Sequence, residues 1–219
     1  MSYCINPGCS QPQNSTHADI CQLCGSKLLL CDRYRLLNVL GQGKFAITFL
    51  AQDESKAEKS HCAIKQLRPV ATESHHRAVA QELFEREAAT LRKIRNHPQI
   101  PKLLDYFQDN HQVYMVQEYI QGWTLHQEIK HLGPLSQAGV KQFLSEILPL
   151  LEFIHNEQLI HRDIKPANLM REEKSRKLVL IDFGAVKICD DEPIHSSEQT
   201  TWTENSIGTQ GFAPPEQIA

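Results

Sequence analysis

His161-Arg162-Asp163-Ile164-Lys165-Pro166-Ala167-Asn168 is the stretch from which this chain is read. It sets an acid, two bases and an amide close together in a polar loop, between apolar Leu159-Ile160 and Leu169-Met170. Fourteen residues past Asn168 comes Asp182-Phe183-Gly184, directly after the apolar run Leu178-Val179-Leu180-Ile181. Carboxylate and amide oxygens of this kind suit a hard cation such as magnesium, which prefers oxygen ligands. A polar turn carrying these letters by chance is the alternative, and the distance to Asp-Phe-Gly argues against it.

In order and spacing these residues resemble the catalytic-loop and Asp-Phe-Gly signatures of the protein kinase family. The resemblance implies an α+β, two-lobed kinase-like fold with an antiparallel-sheet small lobe and a helical large lobe. It implies transfer of the ATP γ-phosphoryl group to a hydroxyl with magnesium. Asp163 would orient the hydroxyl and accept its proton, and Lys165 would neutralise charge on the transferred group. Asn168 and Asp182 would hold magnesium, and Met170 would floor the adenine pocket. A lysine two residues past the aspartate is the serine/threonine-type pattern, so the implied substrate is a protein Ser or Thr. Gly208-Thr209-Gln210-Gly211-Phe212 resembles the substrate-contact loop, in which Thr209 would bond Asp163 and Lys165. Pro214-Pro215-Glu216 stands where the family usually has Ala-Pro-Glu.

Bulk properties fit this reading. The chain has 219 residues, 41% of them hydrophobic and 22% charged, enough for a buried core. Its net charge of -3 lacks the basic excess of a nucleic-acid or membrane-surface binder, so neither partner is expected. No apolar run is long enough to span a bilayer, and no basic-then-apolar leader opens the sequence. The expected location is therefore cytoplasmic, where cysteines are reduced or metal-bound rather than paired.

Five of the seven cysteines fall in the first 31 residues. Cys4, Cys9, Cys21 and Cys24 form C-x4-C, an eleven-residue gap, then C-x2-C. Four thiolates so spaced can close tetrahedrally around zinc. Asn6-Pro7-Gly8 and Gly25 supply turns at the two pairs. So small a segment needs a metal in place of a core. Residues 1–31 are thus expected to form a zinc-ribbon-like module, with the first pair longer than the usual C-x2-C. A redox pair at Cys21 and Cys24, or a metal-free leader, are the other readings. Lys27 and Arg33 against Asp19 and Asp32 make the segment neutral, which favours a protein contact or a structural cap over nucleic acid.

The kinase resemblance covers residues 34–219. Tyr34–Leu40 and Ile47–Ala51 read as strands around Gly41-Gln42-Gly43-Lys44-Phe45-Ala46, a turn whose two glycines let backbone amides approach phosphate oxygens. This resembles the kinase glycine-rich loop, running from Leu40, with Ala46 in place of the third glycine and Thr48 where a valine is usual. Cys62–Lys65 is the next strand. By resemblance Lys65 would grip the α- and β-phosphates, with Glu87 its partner on a helix expected over Arg77–Arg95. Glu82 and Glu85 suit the surface of that helix. Strands are expected at Ile100–Leu104 and Val113–Tyr119 around a turn at Asp109-Asn110. There Gln117 would be the gatekeeper, and the Glu118 carbonyl and Ile120 amide would bond the base.

In the large lobe Thr124 is expected to cap a helix over Leu125–His131. Ser136 starts a longer helix to His155, apolar at Val140, Phe143, Leu144, Ile147, Leu150, Leu151 and Ile154 and kinked at Pro149. His155 and His161 read as packing or backbone-binding residues. In the activation segment, Thr201 and Thr203 are the expected phosphorylation sites, paired with Arg162. The family continues with further helices, so the chain is expected to be a bacterial-type serine/threonine kinase domain truncated after the activation segment, with a partner possible over the uncovered large lobe. A catalytically inactive fragment that binds nucleotide or protein is the alternative.

Overall fold

The computed structural model describes residues 1–43, 45–56, 58–68, 74–189 and 208–218. It forms two compact units, Met1–Glu82 with Leu103–Tyr119, and Leu83–Lys102 with Ile120–Ala219.

The first unit holds β1 (Ser2–Tyr3), β2 (Gln13–Asn14), β3 (Leu29–Leu30), β4 (Tyr34–Gln42), β5 (Ala46–Asp53) and β6 (Ser60–Leu67). The start of α1 (Ser74–Lys93), β7 (Leu103–Asp109) and β8 (Gln112–Glu118) complete it. Six strands form one antiparallel sheet in the order β3-β4-β5-β6-β8-β7, and β1 pairs with β2. Along β5 half-buried and buried residues alternate at every step, the period of a strand whose faces differ. One face, Leu36, Phe49, Ala51, Cys62, Ile64, Tyr114 and Val116, is a buried apolar cluster. Tyr3 and Ile5 of the N-terminal segment pack against it, with the Tyr3 and Phe49 rings 5.6 Å apart.

Segment and sheet are also joined by hydrogen bonds. Leu29 and Leu30 pair with Arg35 and Tyr34, which makes β3 an edge strand of the sheet. The connecting turn has positive φ at both Cys31 (51°) and Asp32 (50°), the geometry of tight hairpins. Arg35 on β4 is buried. Its guanidinium donates to Ser2 Oγ (3.1 Å), the Ala18 carbonyl (2.7 Å) and Glu54 Oε1 (2.5 Å). Arg33, which the charge count set with the segment, instead grips Asp53 through two bonds of 3.0 and 2.8 Å. That guanidinium holds the Asp53 carboxyl well below the usual carboxylate range.

Sequence periodicity misplaced some boundaries here. The strand expected over 100–104 begins at Leu103 and runs to Asp109. Its hairpin turns at Asn110 (φ 46°) and His111 (φ 63°), one residue later than expected. Pairing with β8 from Leu103 to Asp109 set the strand, and a bulge between Leu103 and Asp105 masked its alternation. Helix α1 starts before Arg77 and ends at Lys93.

The second unit holds the rest of α1, β9 (Gly122–Thr124), α2 (Leu125–Leu132), α3 (Gln137–Asn156), β10 (Leu159–Ile160), β11 (Leu169–Glu172), β12 (Leu178–Leu180), β13 (Lys187–Ile188) and α4 (Pro215–Ile218). Thr124 and Gln127 form a reciprocal capping box, and Ser136 accepts from the Gly139 amide (3.2 Å). Helix α3 continues through Pro149 and buries Ile147, Leu150 and Ile154. Val140 and Leu144 are exposed, so the expected apolar side is only partly covered among the described residues. Strands β12-β11-β9 form a sheet, and β10 pairs with β13. Gly122 lies so close to β11 that a Cβ there would meet the Arg171 carbonyl at 2.1 Å, which only glycine permits. Among the described residues no helix is long and apolar enough to cross a membrane.

Arg35→Ala removes one partner of a buried polar network and strands Glu54. We expect a loss of about 3 kcal/mol of unfolding free energy by chemical denaturation. Lys27→Ala, which breaks an exposed pair with Asp32, costs under about 0.5 kcal/mol.

Candidate active site

The loop 161–168 and the Asp-Phe-Gly turn lie between strands already paired. β10 leads into the first and β11 leaves it, while β12 delivers the second and β13 closes it back on β10. Main-chain groups bind the two loops together. His161 is buried and shares a 2.5 Å hydrogen bond from Nε2 to the Asp182 carbonyl. Its Nδ1 accepts from the Asp163 amide at 3.3 Å, so Nε2 carries the proton and the ring is neutral. Burial pushes the His161 imidazole below its ordinary range. The ring also meets Phe183 edge-on at 5.1 Å, and Arg162 Nε donates to the Ala185 carbonyl at 2.8 Å. The backbone-binding reading agrees with this arrangement for His161, whereas His155, expected to pack or bind backbone, is exposed.

Asp163 is the centre of a tight polar cluster. Thr209 Oγ1 donates to Asp163 Oδ1 at 2.7 Å, and Lys165 Nζ lies 2.7 Å from Asp163 Oδ2. Lys165 also donates to Thr209 Oγ1 at 2.6 Å. Asn168, buried in a 3₁₀ turn over Pro166–Asn168, donates to both the Asp163 carbonyl and Oδ2 at 2.9 Å. With its side-chain N–H groups directed to Asp163, Asn168 has Oδ1 as the side-chain atom suited to a cation. Asp182 Oδ1 accepts the Gly184 amide at 3.2 Å. Thr209 therefore makes both contacts that the resemblance implied.

The remaining predicted residues of the second unit lie on other elements. Glu87 is buried on α1 while Glu82 and Glu85 are exposed, the order expected of them. Ile120 is buried, and Met170 pairs across β11 with Thr124 and Val179. Thr201 and Thr203 lie outside the described residues.

In the first unit, Gly41, Thr48, Lys65 and Met115 follow one another in register across β4, β5, β6 and β8, on the face opposite the Tyr3–Phe49 contact. Leu40, Gly41, Gln42 and Gly43 are exposed, Phe45 and Ala46 half-buried, and Lys44 lies outside the described residues. The Gly43 amide donates to the Ala46 carbonyl at 2.8 Å, so a phosphate could take it only by opening that bond. Neither Gly41 nor Gly43 has positive φ. A Cβ at Gly41 would meet nothing within 4 Å, so any need for glycine there comes from a ligand rather than from the fold. Gln117 is buried, with Nε2 3.4 Å from Met115 Sδ, and Glu118 is exposed.

A second cluster lies in the N-terminal segment. The sulfurs of Cys4, Cys9, Cys21 and Cys24 all lie within 4.8 Å of one another, with Cys4–Cys24 at 3.5 Å and Cys9–Cys21 at 3.7 Å. A tetrahedral zinc with bonds of about 2.3 Å has sulfur–sulfur edges of roughly 3.8 Å, so the donor set fits that ion. Asn14 Nδ2 donates to Cys21 Sγ at 3.6 Å, and the Ser26 hydroxyl lies 3.2 Å from Cys24 Sγ. Ser26 draws the Cys24 thiol down to about 6, whereas burial pushes Cys4 up to about 12.

Residues 34–219 match the protein kinase domain family. The chain belongs to that family. This kinase domain is 52% identical to serine/threonine-protein kinase B of Synechocystis sp. over the whole of this chain and 38% of that protein. It is 43% identical to serine/threonine-protein kinase PknA of Nostoc sp. over 87% of this chain and 34% of that protein. It is 38% identical to serine/threonine-protein kinase F of Synechocystis sp. over 99% of this chain and 47% of that protein. The chain thus spans less than half the length of these relatives.

Sequence reasoning missed two features of the domain. Arg35 carries no motif, and its burial is set by the segment folded over it. Gln217 donates to the Arg162 carbonyl at 2.5 Å across 55 positions, a pairing no spacing rule announces.

His161→Phe keeps a ring against Phe183 but removes the hydrogen bonds to the Asp182 carbonyl and the Asp163 amide. We expect a loss of about 2–4 kcal/mol at neutral pH. A histidine with a lowered folded pKa contributes stability that is complete above its unfolded value near ~6.5 and is lost as pH falls through the folded one. Thermal melting from pH 7 to 5 should therefore fall less steeply in His161→Phe than in the unsubstituted protein.

Proposed function

We propose that the protein is a serine/threonine protein kinase that transfers the ATP γ-phosphoryl group to protein hydroxyls. The observation that carries this is the Asp163 cluster, in which Thr209, Lys165 and Asn168 converge on one carboxylate. Asp163 orients the acceptor hydroxyl and takes its proton. Lys165 sits two residues on, 2.7 Å away, where its charge offsets the phosphoryl oxygens. Asn168 and Asp182 would hold magnesium, whose role is to neutralise charge on the phosphates. From the first unit, Gly41, Gly43 and Lys65 would contact phosphates, and Thr48, Gln117 and Glu118 would face the base. Ile120, Met170 and Glu87 complete the proposed set. Preorganised positioning and charge do most of the work in this chemistry, which is why a hydrogen-bonded cluster is informative.

The test is transfer of labelled γ-phosphate to a generic Ser/Thr protein substrate. Asp163→Asn should reduce the rate by at least about a thousandfold while leaving nucleotide binding within a few-fold. Equal activity of the two proteins would refute the reading.

We further propose that Cys4, Cys9, Cys21 and Cys24 bind one zinc ion, and that the segment is a structural cap on the sheet. Support comes from the sulfur spacing, from Tyr3 and Ile5, which pack on the sheet's apolar face, and from Arg35 of β4, which donates to Ser2. Elemental analysis should find one zinc per chain, and Cys21→Ser should lose it. A zinc-free protein, or full loading of the variant, would count against this site.

A further inference from the structure

The peptide plane between Arg162 and Asp163 is held at both ends. Its N–H points to His161 Nδ1 at 3.3 Å, and its carbonyl accepts Gln217 Nε2 at 2.5 Å. Arg162 sits at φ 62°, a left-handed conformation that costs a non-glycine residue about 1–3 kcal/mol and persists only where its surroundings impose it. Gln217 lies in α4, whose first turn is closed by the bond from the Gln217 amide to the Pro214 carbonyl (3.0 Å). The segment 208–218 thus reaches the loop 161–168 twice, through Thr209 to the Asp163 and Lys165 side chains and through Gln217 to the backbone one residue earlier.

Gly208 makes room for this second contact. Its φ is 143°, and a Cβ built on it would meet Gln217 Nε2 at 2.5 Å and Ala213 Cβ at 2.8 Å. A side chain at 208 therefore crowds the Gln217 amide and Ala213, and one or both must shift.

We propose that Gln217 is a positioning residue for Asp163. By fixing the Arg162 carbonyl, it sets the peptide plane from which the Asp163 side chain projects, and Gly208 is the clearance it needs. The proposal rests on the kinase reading of Asp163. Rotation of that plane displaces the carboxylate without touching any residue assigned to the nucleotide. Misplacement of about 1 Å costs on the order of a hundredfold in such chemistry.

Gln217→Glu tests the bond rather than the packing, because it keeps the shape but replaces the N–H donor with an acceptor facing a carbonyl. Gln217→Met tests the same loss without a charge. Both are measured against the unsubstituted protein and Asp163→Asn. Two readouts are used: kcat and KM for ATP, and hydrogen–deuterium exchange of residues 161–168. We expect kcat to fall about 10- to 100-fold in both variants, with KM for ATP within about twofold and faster exchange confined to 161–168 and 208–218. Gly208→Ala should give the same effect, and combining it with Gln217→Glu should add little, since both break one contact. Unchanged exchange in 161–168 overturns the proposal whatever the activity. So does a kcat within twofold of the unsubstituted protein, or a loss shared equally with nucleotide binding, which would mark general unfolding. If the unsubstituted protein transfers no phosphate but exchange rises as expected, the clamp stands and the kinase reading falls.

Discussion

The Asp163 carboxylate accepts from Thr209, Lys165 and Asn168, and much of the second unit is arranged to bring those donors to it. Asn168 is brought close by the 3₁₀ turn, which begins at a proline preset for that geometry. Thr209 comes from a segment forty-six positions away in sequence. A carboxylate held by several donors at once has little freedom to turn. That suits a reaction in which orientation of the attacking hydroxyl matters more than basicity.

Backbone groups rather than side-chain charge carry the connection outward. His161 links the amide of Asp163 to the carbonyl of Asp182, and so keeps the catalytic-loop aspartate and the Asp-Phe-Gly aspartate in one frame. A neutral imidazole does this best, because it both donates and accepts, and burial favours that form. Gln217 extends the frame to the next peptide unit. Phe183, buried and edge-on to the His161 ring, supplies apolar support beside these bonds.

The first unit shows a different economy. Its sheet has one face with Gly41, Thr48 and Lys65 in register, and an opposite face that is apolar enough to need a cover. The cysteine segment supplies part of that cover through Tyr3 and Ile5, and β3 extends the sheet at the β4 edge. A segment too small for its own core gains apolar contacts in this way, and Tyr34 and Arg35 at the β4 edge gain strand partners. Burying the Arg35 guanidinium is tolerable only because Ser2, Ala18 and Glu54 all receive its hydrogens.

Local chemistry made a large part of this protein legible in sequence. Caps at Thr124 and Ser136 work through side chains within three residues of the amides they bind, so their letters suffice. The loop 161–168 and Asp-Phe-Gly are likewise contiguous, and the family assignment follows from them. Alternation from Tyr34 to Leu40 announced β4, whereas β7 was misjudged because a bulge breaks its alternation and its partner β8 lies across a turn. Tertiary structure alone decided the rest. That Arg35 is buried while Lys27 is exposed depends on which residues fold over each. That Gln217 reaches Arg162, and that Gly208 must clear its path, depends on two segments more than forty residues apart meeting at one peptide plane. Such contacts have no period and no spacing, because the chain between them sets only how far they can reach, not what they touch.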